Sequence, residues 1–202
     1  LQELAAGAEA RGVRIEWSDR KTLDRKAKGA GHQGAVVRAR VPGPLGEGAL
    51  EDLLTGAPAP PLLLVLDGVQ DPHNLGACLR SADAAGVDAV VAPRDRACGV
   101  TPTVRKVASG GAETMPFIQV TNLARTLRTL KEAGVWLVGA DSEGAGSLYE
   151  ADLRGPTGLV LGAEGHGLRR LTREHCDLLV RIPMAGTVES LNVSVATGIF
   201  LF

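Results

Sequence analysis

The sequence predicts an α/β fold with a largely parallel sheet over residues 62–202, and three observations lead to that prediction. Short apolar segments alternate with amphipathic segments through this range, which is the pattern of strands followed by crossover helices. Hydrophobic residues make up 45% of the chain and aromatic residues only 3%, so the core is aliphatic. A length of 202 residues suffices for one medium domain and part of a second.

The elements follow in order along residues 62–202. The predicted strands are Leu62–Leu66, Ala89–Val91, Phe117–Val120, Val135–Ala140, Gly158–Leu161 and Leu178–Ile182. The predicted helices are Leu75–Ala85, Pro102–Ser109, Leu123–Ala133, Leu168–His175 and Leu191–Phe202. Because ligands of such sheets bind at the carboxyl ends of the strands, we expect a site in the loops 67–74, 162–167 and 183–190.

Residues 1–41 are predicted to form a separate region ahead of the sheet. A helix over Leu1–Ala10 precedes two strand-like segments, Val13–Trp17 and Ala35–Arg40, with a basic stretch between them. Nine residues between positions 11 and 40 are basic and three are acidic. Such a surface attracts a polyanion through counterion release, but a solvated basic face without a partner is equally compatible with it.

Residues 42–61 are predicted to be a linker. Prolines and glycines are dense on both sides of a short amphipathic turn, Leu50–Leu54. These residues interrupt helix and sheet alike.

Chain-wide properties exclude several classes of protein. The formal net charge of −1 gives no bulk attraction for nucleic acid, and three cysteines without a pattern do not indicate a disulfide framework. We expect reduced thiols and a cytoplasmic location. No apolar run of about 18 residues and no signal peptide occurs, so no membrane span is expected. Since the chain begins and ends inside predicted helices, we expect it to be part of a longer protein.

The first loop leads into a helix that carries two notable polar residues. Asn74 stands at a predicted helix N-cap, Arg80 lies nearly two turns further on, and Gly76 between them allows close approach. A capping asparagine and a surface arginine would also explain the pattern. The loop lacks the glycine fingerprint of Rossmann dinucleotide-binding folds, which disfavours a site of that type.

The second loop, Gly162–Gly167, holds three glycines around Glu164. Its backbone can adopt positive φ and expose amide groups to an adenine or an anion. No Lys-Ser/Thr pair follows, so it is not a phosphate-binding P-loop. A simple tight turn is the alternative, but that does not explain Glu164.

The third loop ends in a predicted helix whose N-cap would be Ser190. Asn192 and Ser194 are polar residues in an otherwise apolar segment, and on a buried face they would need hydrogen-bond partners. A combination of helix cap and core packing is the alternative.

Histidine and cysteine residues give no sign of a metal site or a covalent nucleophile. His166, His175 and Cys176 lack zinc-site spacing, and the other histidines are isolated. Cys78 falls among small residues, where a buried thiol acts as a small apolar group. No metal is expected.

Taken together, the three loops resemble the motifs of the SpoU (TrmH-like) family of the SPOUT methyltransferases. The first matches Asn-x-Gly-x-x-x-Arg at Asn74, Gly76 and Arg80. The second matches Leu-Gly-x-Glu-Gly-x-Gly over 161–167, and the third matches Ile-Pro-Met-x-Gly-x-x-Glu-Ser-Leu-Asn-Val-Ser-x-Ala over 182–196. The resemblance covers about 70% of the chain, residues 62–202.

The resemblance implies a deep trefoil knot in the C-terminal segment, a homodimer that buries the last helix, and S-adenosylmethionine as cofactor. It implies ribose 2′-O-methylation of RNA. Backbone groups of Gly162, Ile182 and Leu191 would contact the cofactor, with Met184 packing nearby. The residues implied to be catalytic or to order the site are Asn74, Arg80, Glu164, Ser190 and Asn192.

Residues 1–41, with His32-Gln33-Gly34, resemble the end of the L30e-like substrate domain in the family branch that methylates a guanosine ribose of bacterial 23S rRNA. Two rival functions stay open. One is methylation of tRNA or of another rRNA nucleotide, and the other is a non-catalytic RNA-binding module.

The family arginine at Arg80 is described as a general base. A guanidinium seldom gives up its proton, so a clamp on an RNA phosphate that also stabilises the developing alkoxide is physically easier.

Overall fold

The structure is a computed structural model that describes residues 1–29, 31–38, 43–56 and 59–202. It divides into two compact units, Leu1–Pro42 and Gly43–Phe202. Most of the predicted linker, residues 43–56 and 59–61, belongs to the second unit, and positions 42, 57 and 58 lie outside the described residues. No helix among the described residues is long and apolar enough to cross a membrane.

The first unit consists of two short helices joined by irregular chain. Helix α1 spans Gln2–Glu9 and α2 spans Arg20–Ala27, where the Asp19 side chain caps α2 by accepting from the Thr22 N–H at 2.8 Å. The predicted helix at the N-terminus is therefore present. The basic stretch, for which the sequence predicts no particular element, contains α2.

The two strands predicted in this unit are wrong over the residues that the structure describes. Residues 13–17 and 35–38 form no strand, and positions 39 and 40 lie outside the described residues. Alternating apolar residues make a strand only where one face is covered, but Trp17 is 75% exposed and Val37 76%.

The second unit contains a seven-stranded sheet in which every pairing is parallel, in the order β3-β2-β1-β6-β4-β7-β5. The strands are β1 Leu62–Asp67, β2 Ala89–Pro93, β3 Phe117–Val120, β4 Trp136–Ala140, β5 Gly146–Ser147, β6 Thr157–Gly162 and β7 Leu178–Arg181. All six predicted strands are present to within about two residues, and β5 was not predicted. The central strands are buried along nearly their whole length, as expected for parallel strands covered on both faces.

Helices cover both faces of the sheet. They are α3 Glu47–Gly56, α4 Pro72–Ala85, α5 Pro102–Ala108, α6 Gly111–Thr114, α7 Leu123–Glu132, α8 Arg170–His175 and α9 Val193–Leu201. One hydrophobic cluster, which includes Leu66, Leu79 and Phe200, packs α4, α5 and α9 on one face. A second cluster, which includes Leu50 and Leu127, packs α3 and α7 on the other face.

The segment predicted as a linker is largely a packed part of the sheet unit. Leu50 of α3 is buried, and Leu45 forms a parallel bridge with Ile118 of β3. Glu47 accepts hydrogen bonds from the Thr121 N–H at 2.8 Å and from Arg125 at 2.7 Å. The pKa of Glu47 is lowered, mainly because its carboxylate accepts the hydrogen bond from the Thr121 N–H. The turn predicted over Leu50–Leu54 is therefore part of a longer helix.

Strand β7 lies between β4 and β5, although β4 and β5 follow each other in the chain. The five residues between them therefore pass across β7. Asp141 N–H donates to the Val180 carbonyl at 2.9 Å, and a Cβ on Gly144 would come within 2.9 Å of the Leu179 backbone. The close crossing explains the need for glycine here. The trefoil knot itself stays a prediction.

Candidate active site

A cavity of about 900 Å³ opens at the carboxyl ends of β4, β6 and β7. Its lining residues fall within the ranges 140–143, 161–168, 180–191 and 193–200, together with Arg173. Two loops in which the sequence predicts a site, 162–167 and 183–190, therefore share one cavity. No residue of the loop 67–74, which the structure describes completely, contributes to the wall.

The glycine-rich turn folds back onto the strand that precedes it. Gly167 N–H donates to the Ala163 carbonyl at 2.9 Å. A Cβ on Gly162 would collide with the backbone of Gly167 and Leu168, so only glycine fits there. Gly165 has φ +79° and nothing within 4 Å of an added Cβ. The turn therefore presents bare backbone to the cavity.

Three predicted site residues form one hydrogen-bonded network. Asn192 Nδ2 donates to Asn74 Oδ1 at 3.0 Å and to Glu164 Oε1 at 2.7 Å. Glu164 Oε1 also accepts from the Val193 N–H at 3.4 Å. The residues come from α4, the glycine-rich turn and the start of α9, so all three loops converge. Asn74 is only 8% exposed.

Both predicted N-caps are wrong, and the reason is the same in each case. Helix α4 begins at Pro72, and its cap is Asp71, which accepts from the His73 N–H at 2.7 Å. Helix α9 is capped by Asn192, which accepts from the Ser194 N–H at 2.9 Å. Several capping residue types stand within a few positions of each start, and the tertiary contacts select among them.

The residues expected at the cofactor all line the cavity. They are Gly162, Ile182, Met184 and Leu191. Ser190 also lines it and is exposed. Buried Leu161 and Val193 give the cavity an apolar floor.

Arg80 is the predicted site residue that the structure leaves outside. It is exposed on α4 and does not line the cavity, and its side chain makes no hydrogen bond or ion pair within the described part of the chain. Six residues after Asn74, it points roughly 240° around the helix axis from that side chain. Within one chain, therefore, Arg80 does not join the network.

Sequence reasoning missed two charged contacts beside the cavity. Asp67, at the end of β1, pairs with Arg169, and Asp141, after β4, pairs with Arg173 at 3.0 Å. An acid that directly follows a buried apolar strand is unusual and could have drawn attention to Asp67. Neither partner could be found from sequence, because both lie far along the chain. Arg169 comes 102 positions after Asp67, and Arg173 comes 32 positions after Asp141.

Charged groups on the cavity wall are mainly acidic among the described residues. The wall carries four carboxylates, Asp141, Glu143, Glu164 and Glu189, and two guanidinium groups, Arg173 and Arg181. This balance favours a ligand that carries positive charge.

Over the part of the chain that the structure describes, neither an activated thiol nor a metal cluster lies near the site. Burial raises the pKa of the Cys78 thiol to about 11, so the thiol is protonated at neutral pH. Its sulfur lies 3.3 Å from Thr197 Oγ1 between α4 and α9. Among the described residues, no group of three or more His, Cys, Asp or Glu side chains could hold a metal ion.

The family model for the SpoU rRNA methylase family matches residues 61–202. A relative from Vibrio parahaemolyticus, the 23S rRNA (guanosine-2′-O-)-methyltransferase RlmB, is 59% identical over 191 residues. That alignment covers 95% of this chain and 77% of the relative.

Two solved structures resemble the fold. An AdoMet-bound rRNA methyltransferase from Sinorhizobium meliloti has a TM-score of 0.78 and 27% identity, covering 100% of this chain and 75% of that one. The SpoU methyltransferase AviRb from Streptomyces viridochromogenes, in complex with AdoMet, has a TM-score of 0.65 and 30% identity, covering 71% of this chain and 56% of that one. The predicted α/β fold with its parallel sheet is thus confirmed, and the chain belongs to the SpoU rRNA methylase family.

Proposed function

We propose that this chain transfers a methyl group from S-adenosylmethionine to the ribose 2′-hydroxyl of a guanosine in 23S rRNA. The observation that carries the proposal is the convergence of Asn74, Glu164 and Asn192 at the edge of a cavity built from the other two family loops. The 59% identity to a named 23S rRNA (guanosine-2′-O-)-methyltransferase supports this substrate over tRNA.

The cavity suits S-adenosylmethionine in size and chemistry. A volume of about 900 Å³ holds a ligand of this class. The exposed backbone of the glycine-rich turn, at Gly162 and Gly165, can hydrogen-bond an adenine, and Leu161 and Val193 can pack against it. Ile182, Met184 and Leu191 complete the wall. The acidic excess on that wall matches the positive sulfonium.

When bound, S-adenosylmethionine supplies a methyl group from its sulfonium, whose sulfur is left as a neutral thioether. The residues must then place the ribose oxygen in line with that methyl carbon, and alignment alone is worth up to roughly 7–11 kcal/mol in ideal systems. Asn74 Oδ1 already accepts from Asn192, so the Asn74 amide N–H groups can donate to a ribose or phosphate oxygen. Glu164 holds Asn192 in place, and Ser190 offers a further hydroxyl at the wall.

The 2′-hydroxyl gives up its proton to solvent water as its oxygen bonds to the methyl carbon. Arg80 acts as a cation that clamps an RNA phosphate and stabilises the charge developing on this oxygen, because a guanidinium keeps its own proton. Arg80 stands outside the cavity of its own chain, so we propose that a homodimer completes each site. Val195 on α9 and Phe202 directly after this helix are exposed and offer an apolar surface for that contact.

We also propose that the first unit binds RNA and that the protein acts in the cytoplasm. Helix α2 presents Arg20, Lys21, Arg25 and Lys26 on an exposed surface, which suits the phosphates of a structured RNA. We propose that this unit is the end of an L30e-like substrate domain.

Two measurements test the function. Calorimetry with S-adenosylmethionine should show binding, and failure to bind would leave a non-catalytic RNA-binding module. Methyl transfer to unmodified 23S rRNA and to unmodified tRNA, followed by mass spectrometry, should give a 2′-O-methylguanosine in 23S rRNA. Methylation of tRNA instead, or of another rRNA nucleotide, would contradict the proposed substrate.

A further inference from the structure

A buried carboxylate lies at the edge of the glycine-rich turn, apart from the network of Asn74, Glu164 and Asn192. Asp67 ends β1, and its side chain is 0% exposed. Its Oδ2 accepts from the Arg169 backbone N–H at 2.9 Å, and its Oδ1 accepts from Arg169 Nε at 2.5 Å. Arg169 Nη2 also contacts Oδ1.

This contact holds the exit of the turn. Asp67 stands opposite Gly162 in the register of β1 and β6, and Arg169 follows Gly167 by two positions. Between them, Leu168 packs on the second core cluster. The bridge between Ala163 and Gly167 closes the turn on itself, so the contact from Asp67 is what ties it to the neighbouring strand.

Burial makes this carboxylate expensive for stability alone. An ionised group taken out of water costs several kcal/mol, and well-packed apolar residues often replace buried ion pairs without loss. Here, three donors from one residue offset that cost and fix both the backbone and the side chain of Arg169. Such a contact specifies one conformation of the chain at the point where the turn leaves the cavity wall.

We propose that Asp67 is a positioning residue for methyl transfer, which through Arg169 holds the turn 162–168 in the conformation that binds the cofactor. The inference rests on the proposed function, since it takes the cavity to be the S-adenosylmethionine site. Asp67 does not line that cavity and touches no reacting atom.

The chain contains a matched control for this contact. Asp152 accepts from the backbone N–H, Nε and Nη2 of Arg154, at 3.1, 2.8 and 2.7 Å. The same atoms therefore meet, but both side chains are largely exposed and only two positions apart. This pair closes a local loop before the amino end of β6, whereas the glycine-rich turn follows the carboxyl end of that strand. Neither residue lines the cavity, so removing the pair should leave the cavity unchanged.

The test compares Asp67→Asn with Asp152→Asn by two readouts in the full chain. Calorimetry measures the Kd for S-adenosylmethionine, and amide hydrogen exchange is followed in the cofactor-free protein. For Asp67→Asn we expect a Kd at least about tenfold higher and faster exchange over 163–169. Exchange in β2 and β3 should stay unchanged. Asp152→Asn should alter neither readout.

Arg169→Lys provides a second variant that keeps the charge and the backbone bond to Asp67 but loses the fork of the guanidinium. It should raise the Kd less than Asp67→Asn does, and it serves if that variant fails to fold. An unchanged Kd in Asp67→Asn would overturn the inference. Amide exchange that becomes faster to the same extent in β2, β3 and the turn of that variant would overturn it as well. Absence of cofactor binding by the unaltered chain would instead reject the proposed function, whereas the exchange data would still test the contact.

Discussion

The same kinds of polar contact have different roles at the two ends of the parallel strands. We call the side of the sheet where strands begin the amino edge and the side where they end the carboxyl edge. At the amino edge, Asp88 accepts from the Leu62 N–H at 2.8 Å and Asp177 accepts from the Leu137 N–H at 2.9 Å. At the carboxyl edge, Asp67 and Glu164 accept from groups on loops that surround the cavity. The amino-edge bonds satisfy the first donors of strands, whereas the carboxyl-edge bonds hold a binding surface in shape.

From this contrast we infer where a substitution changes function but not stability, and where it changes stability but not function. At the amino edge, Leu62 and Asp88 lie 26 positions apart, and Leu137 and Asp177 lie 40 positions apart. At the carboxyl edge, side chains more than 100 positions apart meet, as Asn74 and Asn192 do across 118 positions. Substitutions at the amino edge should therefore lower the free energy of unfolding, and those at the carboxyl edge should lower binding or turnover.

Arg80→Ala is expected to have the largest effect, and it is the most severe test of the comparison because Arg80 lies outside the cavity of its own chain. Turnover should fall by about 10²-fold or more, since an electrostatic contact to the transition state is lost. The Kd for S-adenosylmethionine should change little. Single-turnover methyl transfer and calorimetry measure the two quantities. Equal turnover in the two proteins would remove Arg80 from the site.

A mixing experiment sharpens this prediction. If Arg80 acts on the partner's site, co-refolded Arg80→Ala and Asn192→Ala chains should regain about a quarter of the unaltered activity, because half of the random dimers hold one intact site. No recovery in mixtures shown to be dimeric by ultracentrifugation would contradict action across the dimer.

Glu164→Gln should lower kcat about tenfold, because an amide accepts from Asn192 more weakly than a carboxylate does. Initial rates at saturating RNA and cofactor measure the change. The control is Glu132→Gln on α7, whose side chain is 69% exposed and should not matter. Full activity of Glu164→Gln would exclude a role for the charge.

Asp88→Ala, at the amino edge, should lower the free energy of unfolding by about 1 kcal/mol, the usual worth of one hydrogen bond. Urea unfolding followed by circular dichroism gives this value. Turnover below the unfolding transition should match the unaltered chain. A loss of turnover with unchanged stability would break the distinction between the two edges.

Cys78→Ala should have the smallest effect on catalysis, with turnover within about twofold, because the thiol is fully buried and protonated at neutral pH. The same burial predicts that iodoacetamide labels Cys78 slowly at pH 7.5 in the folded chain, which mass spectrometry of tryptic peptides measures. A large loss of turnover would point to a covalent role for this residue.

Sequence reasoning succeeded where burial is continuous and failed where it is not. The six strands predicted in residues 62–202 are present because short apolar runs have one stable arrangement in a sheet covered on both faces. The strand predicted at Val13–Trp17 is absent because nothing in the described residues covers its apolar side chains. The sequence around α3 predicts a linker because the prolines that flank this helix and the glycines within it mask one buried leucine, Leu50.

The sequence predicted only part of the candidate site. Motifs locate residues along the chain, so Asn74, Glu164 and Asn192 were identified together, and the structure brings them within hydrogen-bonding distance. Arg80 belongs to the same motif, yet lies on another side of α4. The contact of Asp67 with Arg169 has no local pattern at all, since it depends on β1 and β6 being neighbours.

Periodicity and backbone preferences act over a few residues, so they are enough to predict the α/β class, the parallel sheet and the three loops that carry the chemistry. The tertiary structure alone decided the strand order, which residues cap α4 and α9, and which charges face each other at the carboxyl edge. Those outcomes depend on contacts between distant segments, whose cost in chain entropy is offset only when the whole core is buried.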